Sequence, residues 1–360
     1  MGKTAINNAL VFDGTSMREA LTVVIQDNLI VDFGPSPDLS GAKIVDGKGL
    51  TLLPGFIDAH VHLDNDMEKS PLLLGELVRA GITTALDMGL LSASVRKSFH
   101  NHSNIADVRF VGNFATSSGS AHCHLKLATE DSIVDDSGAA ERFIKERVTE
   151  DVDYIKIVAD VPGPSQGVVN VLSSEARKHG KLTVAHAARK VAWAMAQEAK
   201  VDIITHSPMD ELIGEEDAKL MKEEGRVCVP TLIMEKTMAA AKIFPSLNYE
   251  AAKKSVTILH SAGVPIIAGT DANSSKMAAV QHGASIHQEL ELLVEAGLSN
   301  QEALRAATSV PAKWFRLEDR GVIAAGKRAD LLLISGNPVE DIGSTKHVKK
   351  VWAAGKEIDL

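Results

Sequence analysis

From Pro54 to about Leu317, short apolar segments alternate with helix-forming stretches, and this rhythm constrains the fold more than any other feature of the chain. Eight strand-like runs are legible: Phe56–Leu63, Ile82–Met88, Val108–Ala115, Tyr154–Asp160, Leu182–Ala187, Ile203–His206, Val227–Ile233 and Pro265–Asp271. Helical composition fills most of the gaps, as in Ala139–Thr149, Lys190–Ala199, Glu211–Glu224 and Tyr249–Ala262, and again after the last strand at Gly283–Ala296 and Asn300–Thr308. Eight βα units in roughly 250 residues match an α/β fold of the (β/α)8 TIM-barrel type. A doubly wound open sheet is the alternative, and the strand count argues against it.

The two ends of the chain read differently. Ala9–Phe12, Ala20–Gln26, Leu29–Phe33 and Lys43–Val45 are β-rich pieces broken by Asp-Gly, Asp-Asn and Pro-containing turns. After Leu317, β character returns at Ala329–Ile334 and Val348–Ala353. The expectation is a small β-sandwich domain built from 1–53 plus 318–360 beside a barrel at 54–317.

Composition excludes several classes. The net charge of −9 comes without a basic cluster, so nucleic acid is not an expected partner. No apolar run reaches the ~18–20 residues of a membrane span, and the first residues lack the apolar core of a signal peptide. Cys123 and Cys228 are the only cysteines, too few for a disulfide framework or a multi-Cys zinc site. A cytoplasmic enzyme of small molecules is the expectation, with oligomeric state open. The histidines, 13 in number, are the informative titratable residues.

His60 and His62 stand two apart in the first strand, so both imidazoles emerge on one face of a rigid element. In a parallel barrel the C-terminal strand ends form the active face. Lys156 lies on the fourth strand, His186 ends the fifth, His206 the sixth and Asp271 the eighth. The fold brings these distant residues to one rim, a set suited to holding divalent cations. Lys156 is flanked by Ile155, Ile157 and Val158, so an unpaired ammonium there is costly. A carboxylated lysine supplies a negative group able to bridge two cations, and burial favours the neutral amine this requires.

With these residues in view, the chain resembles the amidohydrolase superfamily of metal-dependent hydrolases over nearly its whole length. The resemblance is carried by Leu53-Pro54-Gly55-Phe56-Ile57-Asp58-Ala59-His60-Val61-His62 at the entry. At the exit it is carried by Ala307-Thr308, Pro311-Ala312, Gly321-Val322-Ile323 and Gly326-Lys327-Arg328-Ala329-Asp330-Leu331. The strand-four lysine resembles the binuclear branch that includes prolidase-like, imidazolonepropionase-related and dihydroorotase-like enzymes. The resemblance implies that His60, His62 and Asp271 hold the more buried cation, that His186 and His206 hold the more exposed one, and that carboxylated Lys156 bridges them. The loops Ser118–His124 and Asp160–Gln166, and Ser207 after His206, depart from the prolidase-like pattern and leave the substrate open.

The expected chemistry is hydrolysis of an amide or peptide-like C–N bond. Two cations ~3.5–4 Å apart share a water and lower its pKa, so that a bridging hydroxide attacks the carbonyl carbon. Asp271 is the expected proton shuttle as well as a ligand. Lactone or ester hydrolysis at the same binuclear site is the alternative. A mononuclear deaminase is a weaker one, because Arg189 stands where that branch carries a Glu. Zinc is the first choice of metal, and the donor types also suit Mn, Co or Ni. His122, in the loop after the third strand, is a second catalytic candidate, positioned to hydrogen-bond the substrate. His282 is a candidate pocket edge. His124 is a weaker candidate, His287 reads as packing, and His100, His102, His179, His260 and His347 read as surface or helix residues. Met234–Phe244 reads as an amphipathic helix against the barrel, with a lid for an acyl or aryl group as its alternative.

Overall fold

The computed structural model describes residues 2–18, 21–99, 104–242 and 246–360. Ala20, His100, His102 and the Ile243–Phe244 end of the post-strand-seven segment lie outside the described residues.

Phe56–Val61, Ile82–Asp87 and Asp107–Phe110 form a three-stranded parallel sheet. Ile155–Val158, Thr183–His186, Ile203–Thr205 and Val227–Val229 form a four-stranded parallel sheet, each strand beside its sequence neighbour. These strands are buried almost end to end, as parallel strands covered by helices must be. Isolated parallel bridges join the sheet edges at Ala115–Ile157, Cys228–Ile266 and Val61–Ala272.

Pro265–Asp271 departs from the sequence expectation, because it makes bridges but no regular ladder. Its backbone groups are divided among neighbours. Ile267 N–H donates to Cys228 O at 2.9 Å, Ala268 N–H to Ala306 O at 2.8 Å and Asp271 N–H to His60 O at 2.8 Å. Gly269 allows the close passage, since a Cβ there would lie 2.5 Å from Val229 Cγ1. The seventh run also ends early, at Val229, because the helix Leu232–Ala241 begins three residues later.

Helix starts follow side-chain chemistry. Asp136 accepts from Ala139 N–H at 2.7 Å to open Ser137–Thr149, Ser165 opens Gln166–Lys178, and Asn248 opens Tyr249–Ser261. Ser299 and Glu302 form a reciprocal capping box ahead of Asn300–Ala306. The expected helix Glu211–Glu224 is trimmed to Glu215–Glu223, where Asp217 accepts from Gly214 N–H at 3.2 Å and fixes a later start.

Strands from both chain ends share a six-stranded sheet. Leu50–Pro54 lies between Leu10–Phe12, which is parallel to it, and Leu331–Ser335, which is antiparallel. Val348–Ala353, Lys356–Glu357 and Met17–Arg18 complete that sheet. Lys3–Asn7, Thr22–Gln26, Leu29–Gly34 and Lys43–Asp46 form a separate four-stranded sheet. Ile6, Val23, Ile25, Leu52, Leu333 and Trp352 belong to one apolar cluster that draws on both sheets. Gly55 hands the chain from the six-stranded sheet to Phe56–Val61, passing so close to Thr83 that a Cβ would meet its Oγ1 at 2.3 Å. Arg320 fastens the returning tail to the parallel strands, with Nη1 donating to Asp107 Oδ2 and Thr84 Oγ1, both at 2.8 Å. Among the described residues no helix is long and apolar enough to cross a membrane.

Candidate metal centre

His60 and His62 project from the end of Phe56–Val61 toward Asp271. Their Nε2 atoms lie 3.3 Å apart. Asp271 Oδ1 stands 3.4 Å from His60 Nε2 and 3.1 Å from His62 Nε2. Three electron-pair donors thus face one another with too few protons to satisfy them all. Bonds of about 2.0–2.1 Å in a tetrahedral shell put ligand atoms about 3.3–3.4 Å apart, so the spacing and donor types fit a divalent cation. Asp58, two residues before His60 on the same face, accepts from Thr270 Oγ1 at 2.6 Å, Thr270 N–H at 3.0 Å and His60 N–H at 3.2 Å. It thereby ties the first strand to the residue before Asp271. Burial pushes the Asp58 carboxyl up to about 7, against the pull of these donors. Burial also acts to raise Asp271, but the His62 hydrogen bond and the surrounding cationic groups outweigh it and hold Asp271 below its ordinary value.

His206 is held from outside the cluster. Its Nδ1 lies 2.9 Å from Thr231 Oγ1, 3.3 Å from Glu235 Oε1 and 4.0 Å from Asp271 Oδ2. Trp193 Nε1–H donates to the His206 carbonyl at 3.1 Å. Burial drives the imidazole pKa down to about 3, so the ring is neutral. His206, Thr231 and Asp271 all occupy left-handed backbone, with φ of 73°, 52° and 54°. Each such residue costs on the order of 1–3 kcal/mol, and such strain clusters at functional sites.

Lys156 is 3% exposed, and its Nζ donates to Thr205 Oγ1 at 3.2 Å. Burial lowers its pKa to about 7, against the upward pull of Asp271 and Asp87. The His186 ring packs on His206 with centroids 4.4 Å apart, and His122 packs on His186 at 4.7 Å. His122 follows Ser120, which caps the short helix Ala121–His124, and its other face meets Phe114 at 5.7 Å. Among the described residues its Nδ1 is buried without a hydrogen-bond partner, a polar atom that a bound molecule can use. Burial lowers its pKa to about 4.

All seven sequence-predicted residues therefore meet in one region, but not equally. Among the described residues, His60, His62 and Asp271 form a group of three ligand atoms within 4.8 Å of one another. His186 and His206 offer two nitrogens, and the unmodified Lys156 amine is a hydrogen-bond donor where a carbamate would add acceptor oxygens. His282 lies behind the cluster, with Nε2 3.0 Å from the His62 carbonyl. His124 turns back on the Ser120 carbonyl at 2.8 Å, and His287 packs on Phe56 with Nδ1 3.2 Å from Thr345 Oγ1. Leu232–Ala241 is a helix with Leu232, Met234 and Glu235 buried, and it packs on the helices Tyr249–Ser261 and Ser285–Glu295.

Four buried acids escaped sequence reasoning as site residues. Asp58 and Glu235 are described above. Asp87 accepts from Leu63 N–H at 2.8 Å and Gly89 N–H at 3.1 Å, and burial pushes it up to about 6. Glu289 accepts from Leu232 N–H at 3.0 Å and Ile233 N–H at 2.7 Å, and burial pushes it up to about 8. An acid raised in the folded state stabilises fully below its unfolded pKa and loses that contribution as pH rises through the folded value. For Glu289 the window runs from about 4.5 to about 8. Glu289→Gln lacks this term, so its deficit in Tm relative to wild type narrows across that window. Thermal melts of both proteins check it; a constant gap would contradict the burial-driven shift.

The amidohydrolase family model matches residues 51–358. Among curated proteins, a dihydroorotase of Streptococcus pneumoniae is 27% identical over 380 residues, covering 91% of this chain and 89% of that protein. Adenine deaminase 2 of Shouchella clausii is 22% identical over 348 residues; the match covers 92% of this chain but only 56% of the deaminase, so the chain spans little more than half of that relative. Among solved structures, a prolidase complexed with N-methylphosphonate-L-proline superposes with a TM-score of 0.84 at 26% identity, covering 99% of each chain. A likeness of this extent gives the chain a TIM-barrel-like α/β fold.

Proposed function

The chain belongs to the amidohydrolase family of hydrolytic enzymes, and from that membership we propose that it hydrolyses an amide or peptide-like C–N bond of a small molecule at a binuclear centre. The observation that carries this reading is the convergence of His60 Nε2, His62 Nε2 and Asp271 Oδ1 at 3.1–3.4 Å. His60, His62 and Asp271 would hold one cation, His186 and His206 a second, and carboxylated Lys156 would link them. Zinc suits these donors best. Bound cations supply an acidified water and a polarised substrate carbonyl.

The chain's own side chains supply the rest. Asp271 takes the proton of the attacking water and returns it to the leaving nitrogen, which cannot depart as an anion near neutral pH. Its Oδ2 faces His206 and away from the His62 contact, so one carboxylate serves ligation and proton transfer with different oxygens. His122, neutral and next to His186, orients the substrate carbonyl or carboxylate. The prolidase likeness, which runs the full length of both chains, supports an amide or dipeptide substrate. The sheet bridges at 115, 266 and 272 support reading residues 54–317 as one closed eight-stranded barrel. The shared sheet of Leu50–Pro54 and Leu331–Ser335 supports a small β domain from 1–53 plus 318–360.

The test is metal analysis of the purified protein followed by a screen of N-acyl amino acids, dipeptides, carbamates, lactones and adenine. The expected result is a best amide or dipeptide with kcat/KM at least about tenfold above any lactone, a difference of ~1.4 kcal/mol in transition-state binding. Lactone hydrolysis or adenine deamination without amide cleavage would replace the reading.

A further inference from the structure

We infer that Glu235 is a positioning residue that, through Thr231, fixes the His206 ring as its Nδ1–H tautomer and leaves the Nε2 lone pair available; the inference rests on the hydrolase reading for what the lone pair would bind. Glu235 lies one turn into the helix Leu232–Ala241 and is 2% exposed. Among the described residues its one ion-pair contact is His206, and no lysine or arginine pairs with it. An apolar side chain would fill the same space without a buried acid, so packing alone does not account for a carboxyl group there.

The hydrogen-bond directions give the group its task. Thr231 Oγ1 lies 3.4 Å from Glu235 Oε1 as donor and 2.9 Å from His206 Nδ1. A hydroxyl has one proton; directed to Glu235, it leaves the oxygen as acceptor toward the ring. Nδ1 must then carry the imidazole proton, and Nε2 is left with its lone pair. Glu235 Oε1 also faces Nδ1 directly at 3.3 Å and reinforces the same tautomer. Partners of this kind raise ligand basicity and set ring orientation.

The support extends one layer further. Thr231 is left-handed and gives its helix no side-chain cap. Glu289, 0% exposed on the neighbouring helix Ser285–Glu295, fills that role by accepting from Leu232 and Ile233 N–H. The start of the helix, and with it Glu235, is thus held by a buried acid of another helix.

Two variants of the full chain test the assignment. Glu235→Met removes the acceptor and keeps the bulk, whereas Glu235→Gln keeps an oxygen at the same reach. Nitrogen-15 NMR of metal-free protein reads the His206 tautomer, and chelator competition with zinc reads affinity. We expect Nδ1–H in wild type and in Glu235→Gln, and loss of that preference in Glu235→Met. We expect zinc at the weaker site to bind about 10–100-fold less tightly in Glu235→Met, the usual effect of removing such a partner, with the tighter site unmoved. An unchanged tautomer in Glu235→Met overturns the assignment. If Glu235→Met does not fold, Glu235→Ala, which removes the same acceptor without filling its space, must give the tautomer change, and an unchanged ring overturns the assignment equally. Wild type that binds no zinc yet shows the Nδ1–H ring would sink the hydrolase reading alone.

Discussion

Asp271→Asn lowers kcat by at least ~10²-fold, the low end of what a positioned acid–base group contributes. The substitution keeps shape and leaves the fold nearly undisturbed, because Asn tolerates the left-handed backbone that Asp271 adopts at φ 54°. Its amide oxygen can still face His60 and His62. What it cannot do is take up and return a proton. A stability change of about 1 kcal/mol or less, beside a rate loss of ~3 kcal/mol or more, would separate chemistry from folding. Stopped-flow kinetics on protein with measured cation content checks it. Near-normal turnover at full occupancy would remove Asp271 from the proton pathway.

Lys156→Ala reduces bound cations from two per chain to one, and short carboxylic acids added to the buffer restore part of the second. The reasoning starts from burial. A lysine 3% exposed, with its Nζ served by the single hydroxyl of Thr205, gains little as an ammonium. Its pKa of about 7 leaves a substantial neutral amine at physiological pH, the form that reacts with carbon dioxide. Asp271 and Asp87 supply the negative field around it. A small carboxylate entering the space left by the side chain imitates the bridging group. Lys156→Met, which keeps most of the buried stem, should lose the cation equally and rule out packing as the cause. Unchanged stoichiometry by elemental analysis would count against the bridge.

The histidines of the centre were legible because strand geometry is simple. Residues two apart share a face, and parallel barrels collect strand ends at one rim. The eighth strand was legible as an apolar run but not as a set of bridges, because the approach of Gly269 to Val229 is a property of packing. The supporting acids were invisible for a related reason. Glu235 and Glu289 read as the polar positions of amphipathic helices, and only the fold turns them inward. Asp58 was in plain view inside the entry motif, yet nothing local reveals that its oxygens reach Thr270, far along the chain. Left-handed backbone at Thr231 had no signal at all, since a β-branched residue disfavours it, whereas His206 is of a type enriched there.

A ribosome making this chain must deliver Leu331–Ser335 before Leu50–Pro54 can gain its antiparallel neighbour. At about 5–20 residues per second, that strand waits some 15–60 s with one edge bare. Exposed edges invite pairing with other chains. Messages cut short before codon 331 should therefore yield insoluble product even when every barrel segment has been translated.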